Sequence, residues 1–370
     1  MKNNIESSKH EERKLEISYL CKKSIELIRY SRNLVVHNIN QIQILTYFSI
    51  GKWIVEEQLK GLDRAQYGER VIEKLSNALN AEFGKGFARE SLNNFRKFYL
   101  TYQDRISQPV VTKFIEERNV SQLSHIIEGF PFSLSWTHYL ILMRIKDKEE
   151  RDFYEIEATK QMWSKRTLQR QYSSCLYERL ALSRDKKAVI NLAREGNEVS
   201  KPEDLIKNHT VLEFVGLEEK SKYTESQLES AIIDKMQNFL LELGKGFLFE
   251  ARQKRFTFDE DSYYVDLVLY NRLLRCYVLI DLKVSKLTHQ DLGQMLMYVN
   301  YYDRFVKNDD ENPTVGILLC SEKNDNMVQL TLPEETNIYA SKYELYLPDK
   351  KLLQKKLEEW LNEDDNSENY

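Results

Sequence analysis

One hairpin decides the fold of this chain, and its sequence is Tyr263-Tyr-Val-Asp266-Leu-Val-Leu-Tyr-Asn-Arg-Leu-Leu-Arg-Cys-Tyr-Val-Leu-Ile-Asp281-Leu-Lys283-Val284. Apolar, β-branched and aromatic residues fill most of both arms, and the polar pair Asn271-Arg272 interrupts them. This pattern predicts that residues 263–270 and 275–284 form two antiparallel strands. Charged side chains rarely enter such apolar strands unless they are paired or bind a metal, so Asp266, Asp281 and Lys283 are candidate functional residues.

The register of the hairpin determines which of these side chains meet. A turn centred on Arg272-Leu273 or on Leu273-Leu274 pairs even positions with odd ones, which places all three charges on one face of the sheet. Cross-strand Cβ atoms are about 5 Å apart directly and roughly 7–8 Å apart on the diagonal, so both carboxylates can reach one divalent cation. Oxygen ligands favour Mg²⁺ or Mn²⁺, and the sequence has no Cys/His spacing typical of a zinc site.

An ion pair is the alternative explanation for Asp281 and Lys283. An acid two residues before a lysine also occurs at Glu12/Lys14, Asp185/Lys187, Glu218/Lys220 and Asp349/Lys351, although none of these lies in an apolar strand. Ion pairs that serve only the structure pack in the same way. The order of the surrounding elements therefore decides between the two explanations.

The segments around the hairpin alternate between helix and strand patterns. Residues 225–244 are apolar at helical spacing and stop at a glycine, and Thr288 with Asp291 resembles the capping box of a helix that extends to Asp303. Strand patterns occupy residues 247–258 and 314–320. The predicted order is α, β, β, β, α, β.

This order, with Asp266 on the second strand and Asp281-Leu-Lys283 on the third, resembles the core of PD-(D/E)XK nucleases. More narrowly, residues 20–345 look like the YhcG-like family of bacterial PD-(D/E)XK proteins. Four stretches carry the resemblance into the first half: Gly51-Lys-Trp-Ile-Val-Glu-Glu, Phe83-Gly-Lys-Gly-Phe87, Leu134-Ser-Trp-Thr-His-Tyr139 and Trp163-Ser-Lys-Arg-Thr-Leu168. It implies an α/β C-terminal domain with a restriction-endonuclease-like αβββαβ core and a mostly α-helical N-terminal domain.

The resemblance also implies roles for individual residues. Asp266 and Asp281 would hold Mg²⁺ or Mn²⁺ together with the Leu282 carbonyl, and Lys283 would orient or help deprotonate the attacking water. Such a cation makes water nucleophilic near neutral pH and stabilises the charge that builds up on the phosphate. Family members usually carry Glu where this chain has Asp281, and the shorter acid still satisfies the Asp/Glu alternative.

Three more residues are candidates for the same site. Glu229 matches the place where such folds often keep an additional acid, although a solvated helix residue would look the same in the sequence. Gln294 and Tyr298 are one helical turn apart and resemble the Gln-x-x-x-Tyr element of RecB-like nucleases. A Gln and a Tyr at this spacing are also ordinary on a half-buried helix.

The N-terminal half, residues 15–182, has two helix–turn–helix layouts, either of which could place a basic helix in a nucleic-acid groove. In the first, Glu69–Phe83 meets the turn Gly84-Lys-Gly86 and then Ala88–Tyr102; in the second, Asp147–Met162 precedes a helix capped by Ser164. Most short helix pairs have no such role. The candidate nucleic-acid contacts from these layouts and from strand 247–258 are Arg89, Arg96, Lys97, Lys165, Arg166, Arg170, Arg252 and Lys254.

Three further segments complete the predicted organisation. Residues 183–222 are polar and form a linker with one docking turn, and residues 223–348 form the nuclease domain. Residues 358–370 form an acidic tail; removing its six acids from the total of 58 leaves 52 acidic against 54 basic residues. Because this remainder is almost neutral, binding to DNA would depend on local basic patches and on the salt concentration.

Composition restricts the class of protein further. The 370 residues leave room for two or three domains, and 42% hydrophobic with 30% charged residues is typical of a soluble protein. Four cysteines without paired spacing favour a reducing compartment. Neither a signal peptide nor a membrane span is recognisable, so we expect a cytoplasmic protein with no membrane partner.

We therefore expect a Mg²⁺-dependent nuclease whose substrate is nucleic acid, with DNA favoured over structured RNA. A rival of another class is a nucleic-acid-binding or scaffold protein whose nuclease fold no longer cuts. The intact charges favour the enzyme, because a site released from chemistry would tend to replace buried charges with apolar residues. Many nucleases of this fold pair up to cut both strands, so a homodimer also stays open.

Overall fold

A computed structural model describes residues 21–28, 39–59, 64–106, 130–217, 223–258, 260–333 and 335–362. These residues fall into two compact units. The first contains the residues up to Arg151 together with Glu157–Lys165, and the second contains Asp152–Ile156 and the residues from Arg166 onward. Within the described part of the chain, no helix is both long and apolar enough to cross a membrane.

The N-terminal part is helical, as predicted. Residues 21–28 are helical, and the helices that follow are α1 (Ile39–Leu59), α2 (Arg64–Phe83), α3 (Arg89–Tyr102), α4 (Trp136–Leu142), α5 (Lys148–Lys160) and α6 (Lys165–Ser173). Gly51 lets α1 approach α3 closely, because a Cβ at this position would lie 2.1 Å from the Phe95 carbonyl oxygen. Gly84 and Gly86 adopt φ of +76° and +140° in the predicted turn between α2 and α3, a conformation that favours glycine.

The second unit is built on one six-stranded sheet. Arg166–Ser173 of α6 belong to this unit. The helices that follow are α7 (Leu176–Ala181), α8 (Lys186–Glu195), α9 (Glu225–Asp234), α10 (Met236–Leu243), α11 (His289–Phe305), α12 (Asp325–Thr331) and α13 (Lys350–Asn362). Its strands are β1 (His209–Val211), β2 (Phe247–Phe258), β3 (Asp261–Asn271), β4 (Cys276–Lys286), β5 (Val315–Glu322) and β6 (Ile338–Glu344). They lie in the order β1-β6-β5-β4-β3-β2, antiparallel from β2 to β4 and parallel from β4 to β1.

The predicted αβββαβ order is confirmed in this unit, with one difference in its first helix. The segment predicted as a single helix is two helices, because Lys235 has φ −118° and ψ 28° and ends α9 before α10 begins. The capping box of Thr288 and Asp291 is present at the start of α11. Helices cover both faces of the sheet: Leu228 on α9 packs on one, and Leu292 on α11 packs on the other.

The segment predicted as a linker, residues 183–222, contains more regular structure than a linker requires. Its described residues, up to 217, include α8 and the three-residue strand β1, which pairs in parallel with β6 through Thr210 and Tyr343. A strand this short forms only because a distant part of the chain supplies its partner. Residues 218–222 of the predicted linker and 363–370 of the predicted acidic tail lie outside the described residues.

A fully buried carboxylate connects β1 to the helices around it. Glu242 on α10 accepts hydrogen bonds from Arg179 Nη1 at 2.5 Å, Arg170 Nη1 at 3.2 Å and the Val211 N–H at 3.1 Å. Lys207 Nζ lies 3.9 Å from the same carboxylate. Burial alone would raise the pKa of Glu242, but Arg179, Lys207 and Arg170 outweigh burial and lower it to about 2. The carboxylate is therefore charged and fully paired.

We expect Glu242→Gln to lower the free energy of unfolding at neutral pH by about 3–5 kcal/mol, because it leaves buried cations without their counter-charge. In wild type this contribution should be present above the ordinary pKa of 4.5 and be lost as the pH falls towards 2. Urea denaturation measures the change. Glu359→Gln, which removes only an exposed ion pair with Lys355, is the control and should cost less than about 1 kcal/mol. Equal costs for the two variants would contradict the prediction.

Candidate active site

The hairpin β3–β4 turns at Leu273-Leu274, the second of the two turns that the sequence allows. Asn271 pairs with Cys276 and Leu267 pairs with Ile280. The Asn271 Oδ1 fixes the turn by accepting hydrogen bonds from the N–H groups of Leu273 and Leu274. Continued by one residue, the same register puts Asp266 opposite Asp281, so the predicted pairing of even with odd positions is confirmed.

The two strands stop pairing just where the acids begin. The backbone ladder ends at Leu267 and Ile280, and the Asp266 carboxylate takes its place: Oδ2 accepts a hydrogen bond of 2.8 Å from the Leu282 N–H. A buried N–H without a partner would be costly, so this bond fixes the Asp266 side chain between the strands. The proposed ligand role of the Leu282 carbonyl remains a prediction.

Lys283 lies among three acids. Its Nζ is 2.8 Å from Asp281 Oδ2, 3.8 Å from Glu225 Oε2 on α9 and 3.9 Å from Asp291 Oδ1 on α11. Burial lowers the pKa of the lysine, but Asp281, with help from Glu225 and Asp291, raises it above its ordinary value. Lys283 is therefore a fixed positive charge at neutral pH.

The pKa of Asp281 is far above that of an ordinary aspartate. The residue is only 3% exposed, and burial together with the nearby Asp266 carboxylate raises the pKa of Asp281 to about 7 in spite of Lys283. Asp266 is half-buried, and two neighbouring carboxylates repel each other when both are charged. Lys283 alone therefore does not compensate the negative charge of Asp266 and Asp281 when both are ionised.

Glu229, predicted as an additional acid, is buried and reaches the same place from α9. Its Oε2 accepts a hydrogen bond of 2.8 Å from Gln253 Nε2 on β2, and the same nitrogen donates to Asp266 Oδ1 at 2.8 Å. Arg252 Nε lies 3.1 Å from Glu229 Oε1, close enough for an ion pair but not aligned as a hydrogen bond. The solvated alternative for Glu229 does not hold.

Gln294 and Tyr298 also lie beside these acids. Gln294 Nε2 donates a hydrogen bond to the Tyr298 hydroxyl, and the tyrosine is buried. Burial raises the pKa of Tyr298, and Asp281 and Lys283 are near enough to influence it. The hydroxyl therefore keeps its proton at neutral pH.

Sequence reasoning missed three residues of this site: Glu225, Gln253 and Asp291. Glu225 precedes Glu229 by one helical turn, and Asp291 was recognised only as a capping residue. Gln253 had a signal of its own, because extending the pairing to β2 places it opposite Asp266: Arg252 pairs with Leu267 and Lys254 with Val265.

The donor set fits a hard divalent cation. Every acidic donor is a carboxylate, and the raised pKa of Asp281 marks an excess of negative charge that such a cation would relieve. Among the described residues, no group of three or more His, Cys, Asp or Glu side chains is arranged to hold a metal ion. The candidate ligands are the two neighbouring carboxylates, Asp266 and Asp281.

The basic side chains predicted to contact nucleic acid differ in their surroundings. Arg89, Lys97, Lys165, Arg166 and Lys254 are exposed, Arg96 is half-buried, Arg89 pairs with Glu73, and exposed Arg252 pairs with Glu229. Arg170 is not on a free basic surface. Its guanidinium is held by Glu213 at 2.9 Å and by Glu242 at 3.2 Å, because α6 turns this residue towards β1 and α10.

Known proteins match the chain in both halves. Residues 203–358 match the family described as the YhcG PDDEXK nuclease domain, and residues 23–179 match the DUF1016 N-terminal domain. The chain is 35% identical over 340 residues to the protein named "Putative nuclease YhcG" from Escherichia coli (strain K12), with 89% of this chain and 90% of that protein covered. This chain belongs to the YhcG family. The match to the YhcG nuclease domain begins at residue 203, inside the segment predicted as a linker, and so covers β1.

One solved structure was also found to be similar. It is the crystal structure of a repair endonuclease from Pyrococcus abyssi, with a TM-score of 0.23 and 16% identity. The alignment covers 36% of this YhcG-family chain and 50% of that chain. A score this low supports no conclusion, and the family assignment rests on the sequence matches.

We expect the stability of the metal-free protein to fall as the pH rises through the Asp281 pKa. A carboxyl whose pKa is raised by folding stabilises the fold at low pH, and this contribution is lost as the group ionises. In the presence of a chelator, the thermal midpoint of wild type should fall relative to that of Asp281→Asn as the pH rises from 3.8 to about 7.

Asp309→Asn, in an exposed turn, is the matched control and should follow wild type over the whole pH range. A difference between wild type and Asp281→Asn that is the same at every pH would contradict the buried, carboxylate-flanked environment described for Asp281.

Proposed function

We propose that this YhcG-family protein is a Mg²⁺-dependent nuclease that hydrolyses phosphodiester bonds in DNA. The observation that carries the proposal is the position of Asp266 beside Asp281 where the β3–β4 ladder ends, with Lys283 Nζ 2.8 Å from Asp281. Carboxylates that face each other across two strands suit a hard cation, and the lysine adds a fixed positive charge next to it.

Asp266 and Asp281 would hold Mg²⁺ or Mn²⁺, with the Leu282 carbonyl as a third oxygen. When bound, such a cation supplies Lewis acidity and a water of lowered pKa. Lys283 Nζ lies 2.8 Å from Asp281 Oδ2, so its ammonium can donate hydrogen bonds to the phosphate or the attacking water. Orienting that water or helping to deprotonate it are the roles that the family resemblance implies.

Gln294 and Tyr298 add neutral donors beside the acids. Gln294 is exposed and can turn its amide towards a phosphate oxygen, while Tyr298 holds its position from the buried side of α11. Because the Gln294 amide and the Tyr298 hydroxyl are uncharged, neither repels the negatively charged backbone of a nucleic acid. Glu229 serves to position Asp266 through the shared Gln253 amide.

Exposed cations outside the site supply the contact with the nucleic-acid backbone. Lys254 lies on the edge strand β2, and Lys165 and Arg166 begin α6. The glycine turn between α2 and α3 is a helix–turn–helix layout of the kind that suits a duplex groove, which favours DNA over RNA. Cys21, Cys175, Cys276 and Cys320 form no disulfide with one another, in keeping with a reducing cytoplasm.

We expect the purified protein to cut DNA only when Mg²⁺ or Mn²⁺ is added. Asp266→Ala and Lys283→Ala should each lower the rate by at least about 100-fold, because each removes charge stabilisation from the reacting phosphate. The assay uses linear, circular, branched and single-stranded DNA together with RNA, with and without the metal. Lys286→Ala, at the exposed end of the same strand, is the control and should cut like wild type.

The outcomes of this assay distinguish three hypotheses: a DNA nuclease, an RNA nuclease and a protein that binds nucleic acid without cutting it. Undiminished cutting by both Asp266→Ala and Lys283→Ala would rule out this site. Metal-dependent cutting of RNA in preference to every form of DNA would overturn the proposed substrate. Tight binding without cutting would select the nucleic-acid-binding or scaffold protein.

A further inference from the structure

The side chains of Arg252 and Gln253 break the alternation of a β-strand. Consecutive residues on a strand point to opposite faces, yet both of these reach the same carboxylate, Glu229. The reason is the backbone of Gln253, which has φ +45° in the middle of β2. A left-handed conformation costs a residue other than glycine about 1 kcal/mol or more, so the surrounding contacts must hold it there.

The contacts that hold it are two carboxylates. A glutamine amide nitrogen has two N–H groups, and Gln253 gives one to Glu229 Oε2 and the other to Asp266 Oδ1, each at 2.8 Å. The pairs Arg252 with Leu267 and Leu267 with Ile280, continued by one residue, place Gln253 opposite Asp266 and Asp266 opposite Asp281. One row across three strands therefore contains an amide and two acids, and the amide connects that row to α9.

From this geometry we propose that Gln253 is a positioning residue that joins Glu229 to Asp266 and thereby sets the affinity of the site for divalent cations. The proposal rests on the proposed function, because it takes Asp266 and Asp281 as the cation ligands. Asp266 Oδ2 is already fixed by the Leu282 N–H, and Gln253 fixes the other oxygen. Without the amide, Glu229 and Asp266 would repel each other and Asp266 would lose its second restraint.

The first test is cation binding without nucleic acid. We expect Gln253→Met, which keeps the length of the side chain but not its amide, to bind Mn²⁺ about tenfold more weakly than wild type in an electron paramagnetic resonance titration. Gln237→Met, at an exposed position on α10, is the matched control and should bind like wild type. Equal affinity in wild type and Gln253→Met overturns the proposal, and so does an equal loss in the control.

A charge variant separates positioning from a structural role. Gln253→Glu replaces the shared donor with a third carboxylate, so its Mn²⁺ affinity should depend more steeply on pH between 5 and 8 than that of wild type. If Gln253 had only a structural role, Gln253→Glu would change the Mn²⁺ affinity by the same factor at every pH. Parallel pH profiles in wild type and Gln253→Glu therefore overturn the proposal.

A measurement on wild type removes any dependence on how the variants fold. The side-chain ¹⁵N–H₂ signals of Gln253 should respond when Mg²⁺ saturates the protein, because their two acceptors are an ion ligand and its neighbour. Signals that do not move while Mg²⁺ binds overturn the proposal. Mn²⁺ binding that depends on Gln253 in a protein that cuts nothing upholds this proposal and overturns the proposed function instead.

Discussion

The site depends on one hydrogen bond in which a side-chain carboxylate takes the place of a backbone carbonyl of the neighbouring strand. Where β3 and β4 stop pairing, the Leu282 N–H loses its backbone partner, and the Asp266 carboxylate supplies the replacement at 2.8 Å. Because a buried N–H must be satisfied, this bond fixes Asp266 between the strands and leaves its other oxygen facing Gln253. The opening between the strands and the orientation of the first acid therefore have the same cause.

The position of Asp266 also affects the charge state of the neighbouring Asp281. Asp281 is buried opposite Asp266, so its pKa is raised to about 7, while Lys283 keeps its proton among Asp281, Glu225 and Asp291. Lys283 lies within 4 Å of Asp281, Glu225 and Asp291. Glu229 forms an ion pair with Arg252. Elsewhere in the same unit, Glu242 is the opposite case: one carboxylate surrounded by three cations, fully paired and suited to hold β1 and its helices together. The cations around Glu242 stabilise its charged form, whereas burial and Asp266 raise the pKa of Asp281 in spite of Lys283.

The sequence was informative where local rules decide the structure. Alternation and the polar pair at Asn271 were enough for the hairpin, for the even-with-odd register and hence for the convergence of Asp266, Asp281 and Lys283. It failed where distant residues decide: the partners of Arg170 lie 43 and 72 residues further along the chain, and β1 exists only because β6 accepts it. Gln253 escaped notice, although the register places it opposite Asp266, because its other contact joins β2 to Glu229 on a helix 24 residues earlier in the chain.

The central claim is that Asp266 and Asp281 act together as the ligands of one divalent cation. A crystal of the protein grown with Mn²⁺ tests it most directly, through the anomalous scattering of the metal. The account predicts an anomalous peak within ligand distance, about 2.0–2.3 Å, of an oxygen from each carboxylate. A peak bound to only one of them, or Mn²⁺ bound elsewhere while both carboxylates keep their contacts with Leu282, Gln253 and Lys283, would contradict it.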